Sequence, residues 1–283
     1  MSQLLELYGF STRLHQSPDW KAVVGQAFCP YLKKTCIKSR KSNPDITIGT
    51  CSVDYGKQHR WLMICPHRLL EKNQVFFDCL HLLSQHEPGN ALHAVSEVGI
   101  PGGNVDYFIV SARGGRVKDF VGIELQTIDT TGTVWPERQR FLNTHGLAVN
   151  DRDVRGTQSF GMNWKMTCKT VLVQLHHKIK TFEAINKHLV LVIQNHLMDY
   201  MRGQFQLAHL ENARLGDAMH FHTYNLLQTS TGALRIELES RYSTDANGIA
   251  KSLGLSTSPN LDLQVIVEML EEKISEDTLL SIA

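Results

Sequence analysis

The sequence has no long run of like charge, no low-complexity tract, and no apolar stretch near the ~18–20 residues that a membrane helix needs. Charge of one sign is not in excess either. Twenty-nine Lys and Arg face 28 Asp and Glu, leaving a formal net charge of +1. That balance neither supports nor excludes a nucleic-acid partner, because a basic cleft is compatible with a near-neutral total. The opening MSQLLELYGF holds Glu6 and no basic stretch ahead of an apolar one, so no secretory signal is expected and the protein is placed in the cytoplasm, away from membranes. In that setting six cysteines read as thiols or metal ligands rather than disulfides. What is present is core-forming material. The chain has 283 residues, 42% of them hydrophobic and 20% charged, which is ample for one large domain or a domain with an appendage. No repeat of 20–50 residues is visible.

Ser17-Pro18-Asp19 reads as a helix start and predicts a helix over 19–27. From Cys29 to about Leu70, cysteines, basic residues and turn formers dominate, with short strand-like pieces at 46–48 and 61–64. Residues 1–72 thus predict an N-terminal segment whose module lacks the apolar surface to hold itself together, and 73–283 the main body. Residues 74–97 read as helical, with Phe77, Leu80 and Leu83 on apolar spacing. A turn at Pro101-Gly102-Gly103-Asn104 leads to a strand over 105–110, a hairpin turn at 112–115 and a second strand over 120–126. The polar segment 129–161 reads as a loop long enough to carry function, with Arg138, Arg140, Arg152, Asp153 and Arg155 suited to reading guanine edges. A long helix over 163–185, a central strand over 188–193 and a helix over 197–210 follow. Strands over 221–227 and 234–239 and helices over 245–253 and 262–274 complete the reading. Strands alternate with helices in this half, so the class is α/β or α+β around a mixed sheet.

Cys29, Cys36, Cys51 and Cys65 fall within 37 residues, with six, fourteen and thirteen residues between successive members. Four thiolates converging on one ion would contribute folding energy to this small segment. Lys33, Lys34, Lys38, Arg40 and Lys41 crowd the same stretch. Scattered buried thiols are the plainer alternative, and composition suits zinc or a single iron equally. Cys79 and Cys168 sit in apolar settings and read as core.

Asp106 precedes Glu124-Leu125-Gln126 by seventeen intervening residues. On a strand Glu124 and Gln126 share one face and Leu125 takes the other, so hairpin pairing lets Asp106 lie across from them. Two carboxylates, with the Leu125 carbonyl as a further ligand, suit Mg²⁺. The layout is that of the nuclease motif Pro-Asp…(Asp/Glu)-x-Lys, with Gln126 in the lysine position. An exposed polar strand face explains the same residues. Glu97, read as helix-borne at the mouth of the site, is a third acid, with a solvated helix end as its alternative.

Together these elements resemble the NotI family of type II restriction endonucleases. The resemblance rests on Cys29-Pro30-Tyr31-Leu32, Cys36-Ile37-Lys38 and Trp61-Leu62-Met63-Ile64-Cys65-Pro66-His67-Arg68, then on Gly122-Ile123-Glu124-Leu125-Gln126-Thr127-Ile128-Asp129 and Gly161-Met162-Asn163-Trp164-Lys165. These stretches keep the family's order and span roughly 29–200. The resemblance implies a restriction-endonuclease-like core, a mixed sheet flanked by helices, with a four-cysteine iron module ahead of it. It implies a homodimer that cuts double-stranded DNA at a palindromic, GC-rich site. It puts Asp106 and Glu124 on the catalytic Mg²⁺, Gln126 in the lysine slot, Glu97 upstream, and Cys29, Cys36, Cys51 and Cys65 on the structural metal. The cysteine spacing and the short interval from Glu97 to Asp106 depart from the family pattern. A metal-stapled nucleic-acid binder without catalysis, or a structure-specific repair nuclease, would carry the same residues.

Overall fold

The computed structural model describes residues 3–40, 42–156 and 159–255. Its centre is a sheet of seven strands in the order Glu211–Asn212, Leu234–Thr244, Met219–Gln228, His188–Gln194, Arg116–Gln126, Gly103–Arg113, Ala91–Ile100. His188–Gln194 pairs parallel with both neighbours, and the remaining ladders are antiparallel. The burial of residues 189–194 explains this place, since a parallel strand covered on both faces needs an unbroken apolar run. Parallel neighbours also require crossovers, which the helices Trp164–Ala184 and Asn195–Gln204 supply. The architecture is mixed α/β, as the motifs imply.

The long helix buries Val171, Leu172, Leu175, Ile179 and Phe182 along one stripe. It lies on the sheet face that carries Phe108, Leu189, Leu191 and Ile193. Gly122 permits the close approach: a Cβ there would stand 2.5 Å from Phe182 Cζ. The opposite face, with Ile109, Ile123, Leu125 and Val192, packs on Leu69, Leu70, Val75 and Leu82 from the irregular segment 66–83. A second, four-stranded antiparallel sheet, ordered Phe10–Ser11, Leu4–Leu7, Thr50–Tyr55, Arg60–Met63, docks against this core. Gln194 fastens it, accepting from the Met63 amide (2.9 Å) and donating to the Trp61 carbonyl (2.6 Å). Fully buried Arg68 adds a clamp, reaching both oxygens of Glu6 (2.9 Å each) and Glu71 (2.9 Å). Among the described residues no helix is long and apolar enough to cross a membrane.

Several sequence expectations change. The span 74–97 is not all helix: 66–83 forms short helical turns, and Ala91–Ile100 is the edge strand of the central sheet. Once Pro101-Gly102-Gly103 reverses the chain, that strand pairs along the whole Asp106 strand, and pairing overrides local propensity. Thr50–Tyr55, unforeseen, is almost wholly buried, so the cysteine-rich stretch does share in the core. The supposed loop 129–161 holds the helices Trp135–Thr144 and Asp151–Arg155. The helix expected over 197–210 ends at Gln204. Other elements fall near their expected places, including Trp20–Gln26, whose first amides are capped by the Asp19 carboxylate, and the hairpin turn, where Gly114 and Gly115 both take positive φ. The helix expected over 262–274 lies outside the described residues.

Candidate functional site

The site is built by strand register. Tyr107 pairs with Ile123 on one side and with Ser96 on the other, so the next position, Asp106, stands level with Glu124 and with Glu97. Three carboxylates therefore share one level across three neighbouring strands. On the Glu124 side the ladder stops at this point, and Asp106 Oδ2 accepts the Leu125 amide (2.8 Å) in place of a backbone bond. Glu97 is exposed on the edge strand, with positive φ (56°), and not on a helix. This left-handed residue locally breaks the edge ladder beside Asp106.

Asp106, Glu124, Leu125 and Gln126 line one cavity of about 260 Å³, together with Asn104, Val171, Gln174, Lys178 and Leu191. Glu124 is 8% exposed and Lys178 5%, and Lys178 Nζ donates to Glu124 Oε1 (2.7 Å). Burial pushes the Glu124 carboxyl up to about 7; Lys178 opposes the rise, while Asp106 and Glu97 add to it. Gln126 turns its amide to the Thr127 carbonyl (2.6 Å). The oxygen donors that remain around the cavity suit a hard cation, which accepts a few carboxylates and keeps its waters.

Lys178 was not visible as a site residue from motifs. Its signal is local: a lysine inside the apolar stripe Val171, Leu175, Lys178, Phe182 of the long helix. Three contacts fix that turn of helix. Gly102, at φ +100°, brings the backbone so near that a Cβ would meet the His177 carbonyl oxygen at 2.4 Å. Thr181 Oγ1 donates to the Pro101 carbonyl (2.8 Å), and Phe182 covers Gly122.

Cys29, Cys36, Cys51 and Cys65 line a second, much smaller void of about 10 Å³, with Tyr8, Lys38 and His67 among its neighbours. Cys29, Cys51 and Cys65 are buried and Cys36 is half-buried. Burial pushes the Cys51 and Cys65 thiols up, Cys51 strongly. The donor set and the void, about one water in size, fit a single thiophilic ion. Among the described residues no group of three or more His, Cys, Asp or Glu is gathered closely enough to hold a metal ion, so neither the four thiols nor the three carboxylates form a finished cage. Cys79 and Cys168 are fully buried core residues. His67 joins the two centres: burial lowers its pKa, helped by Lys34 and Lys38 and opposed by Asp106 and Glu97. His67 thus feels both the lysines of the cysteine-rich stretch and the acids Asp106 and Glu97.

The arginines of 129–161 divide. Arg138 is buried, with Nε donating to the Ile48 carbonyl (2.7 Å) and its guanidinium over Trp135. Arg140 pairs with Glu137 and bonds the Val154 and Gly156 carbonyls. These two hold the fold and are not base readers. Arg152 and Arg155 stay exposed beside Arg40 and Trp135, and Asp153 is taken by Arg40 (3.2 Å) and by the Trp135 indole (2.8 Å).

No curated protein matches the chain. The family model described as restriction endonuclease NotI matches residues 25–233, and so includes the strand Met219–Gln228 that lies beyond the motifs quoted above. With a match over most of its length, covering both the thiol void and the acid row, the chain belongs to the NotI restriction endonuclease family.

Proposed function

We propose that the chain is a Mg²⁺-dependent type II restriction endonuclease, acting as a homodimer on double-stranded DNA at a palindromic, GC-rich site. The observation that carries this reading is the row of Glu97, Asp106 and Glu124 level on three neighbouring strands, with Asp106 and Glu124 lining one cavity, in a chain of this family. Asp106 and Glu124, with the Leu125 carbonyl, would hold the cation, in the (Asp/Glu)-x-Lys layout with Gln126 in the lysine position. When bound, Mg²⁺ lowers the pKa of a water and stabilises the charge that grows at phosphorus. The residues then have separate tasks. Leu125 N–H fixes the Asp106 carboxylate, leaving Oδ1 turned to other partners. Lys178 holds Glu124 by Oε1 and so orients Oε2. In the hydrolysis a water oxygen bonds to phosphorus, its proton passes to solvent or a neighbouring oxygen, and the phosphorus–sugar oxygen bond breaks as the leaving oxygen takes a proton. Glu97, at the exposed end of the row, stands where it would receive the entering cation.

Cys29, Cys36, Cys51 and Cys65 would hold an iron or zinc ion whose contribution is structural, fastening 29–65 beside the acid row. Metal analysis of purified protein should give about one iron or zinc per chain, and a metal-free, stably folded protein would remove that part of the reading.

Plasmid DNA tests the activity. With Mg²⁺ the protein should yield discrete fragments, EDTA should stop the cutting, and Asp106→Ala or Glu124→Ala should slow it by about 10³-fold or more while DNA binding persists. Wild-type cutting by either variant would refute the assignment. A gel shift without cutting would point to a non-catalytic binder, and cuts that follow DNA structure rather than sequence to a repair nuclease.

A further inference from the structure

We propose that Lys178, not Gln126, is the cationic group of the cleavage centre. The inference rests on the nuclease reading above and assigns a role that the linear motif gives to another position. Four observations carry it. Among the described residues, Lys178 is the one cation that lines the acid cavity. Its ammonium has Glu124 Oε1 at 2.7 Å, and an ammonium has three N–H groups, so two remain to face a phosphate oxygen or a water in the same cavity. Gln126, by contrast, spends an amide N–H on the Thr127 carbonyl and carries no charge. Finally, Lys178 occupies a position of the helix stripe where leucine or valine would pack without any desolvation cost. A buried lysine kept there, and pinned by Gly102, Thr181 and Phe182 around it, is placed for its charge.

The chemistry needs such a group. Two carboxylates, Asp106 and Glu124, line the cavity with Glu97 level beside them, and a DNA phosphate brings further negative charge. Lys178 offsets that repulsion from above the sheet, while the strand supplies the carboxylates. It makes and breaks no covalent bond: it holds Glu124 and donates hydrogen bonds toward the phosphate as negative charge builds there. The standard lysine comes from the strand two residues after the acid, whereas here it arrives from the helix that covers that strand.

Relocating the lysine is the decisive experiment. Wild type, Lys178→Gln, Lys178→Arg, Gln126→Ala and the double variant Gln126→Lys/Lys178→Gln are compared in single-turnover cleavage of plasmid DNA with Mg²⁺. DNA affinity is measured by gel shift in EDTA, and folding by thermal unfolding. Lys178→Gln should cut about 100-fold slower with DNA affinity changed less than about threefold, and Gln126→Ala should lose less than about tenfold. The double variant, with its lysine returned to the strand, should recover at least about tenfold over Lys178→Gln. A purely structural lysine could not be rescued from position 126. Lys178→Met, which keeps the stem in the apolar stripe, replaces Lys178→Gln if that chain does not fold. Full cutting by folded Lys178→Gln or Lys178→Met would overturn the proposal, as would slow cutting that neither the arginine nor the relocated lysine relieves. A wild-type protein that cuts no DNA would overturn the nuclease reading itself, a separate result.

Discussion

Two groups of polar residues stand on opposite faces of the same sheet. On the face covered by the long helix are buried Glu124 and half-buried Asp106. On the other, toward the segment 66–83, stand His220 and His222, fully buried on alternate positions of one strand. The acids open on a cavity and have a cation from another element. The histidines are sealed: His220 donates to the Asp217 carbonyl (2.8 Å), His222 meets the Cys79 sulfur (3.7 Å), and one nitrogen of each ring lacks a partner. Burial, with neighbouring histidines and, for His222, Arg241 adding to it, lowers the imidazoles to about 4 and about 3. Burial holds Glu124 and both histidines back from charge, but only Glu124 opens on a cavity and has a counter-ion. A buried polar row becomes a site through access and a partner, not through polarity alone.

The largest effect expected from this contrast is on the histidine side. An unfolded histidine titrates near 6.5, well above His220 and His222 in the fold. Between those values the unfolded chain binds more protons, so stability falls as pH drops from about 6.5 toward 3, by up to about 3 kcal/mol for His220 and about 5 kcal/mol for His222. Urea unfolding at pH 7 and pH 4.5 should show the loss, and His222→Leu should shrink it. An equal loss in that variant would clear the histidines of acid lability. A smaller effect is expected on the acid side from Gly122→Ala. The added Cβ meets Phe182 Cζ at 2.5 Å and lifts the helix that carries Lys178. Overpacking of this kind costs about 1–3 kcal/mol, a melting shift of roughly 3–10 °C in a chain this long. Cutting should fall beyond what the lost stability explains. An unshifted melting temperature with full activity would mean that the helix yields freely there.

How much was legible follows the same divide. The hairpin that sets Asp106 beside Glu124 was readable because its signals are short-range: two glycines at the turn and alternation on either side. Asp106 level with Glu124 follows from counting in twos. Glu97 reads as helical because Ala91, Leu92, Ala94 and Glu97 are good helix formers; only the partner strand makes 91–100 a strand. Lys178 stood out of reach because it lies 54 residues from Glu124 in sequence, and nothing local says which way a lysine in an apolar stripe will point. Arg138 and Arg140 misled for the converse reason: exposed-looking arginines in a polar segment turned inward onto backbone carbonyls. In the central sheet, by contrast, the apolar run 188–193 suits a central strand from its composition alone, and His188–Gln194 is one.

The three-stranded meander of Ala91–Ile100, Gly103–Arg113 and Arg116–Gln126 has a consequence for the order in which the molecule assembles. Its strands are joined by tight turns, so Glu97, Asp106 and Glu124 meet through contacts of low sequence separation, which form early in folding. Lys178 joins them only when the helix crossover closes between parallel strands, a slow, long-range step. For part of its folding the chain therefore gathers like charges with no counter-charge of its own, and whatever cation is dissolved around it can act as a folding partner before it acts in anything else.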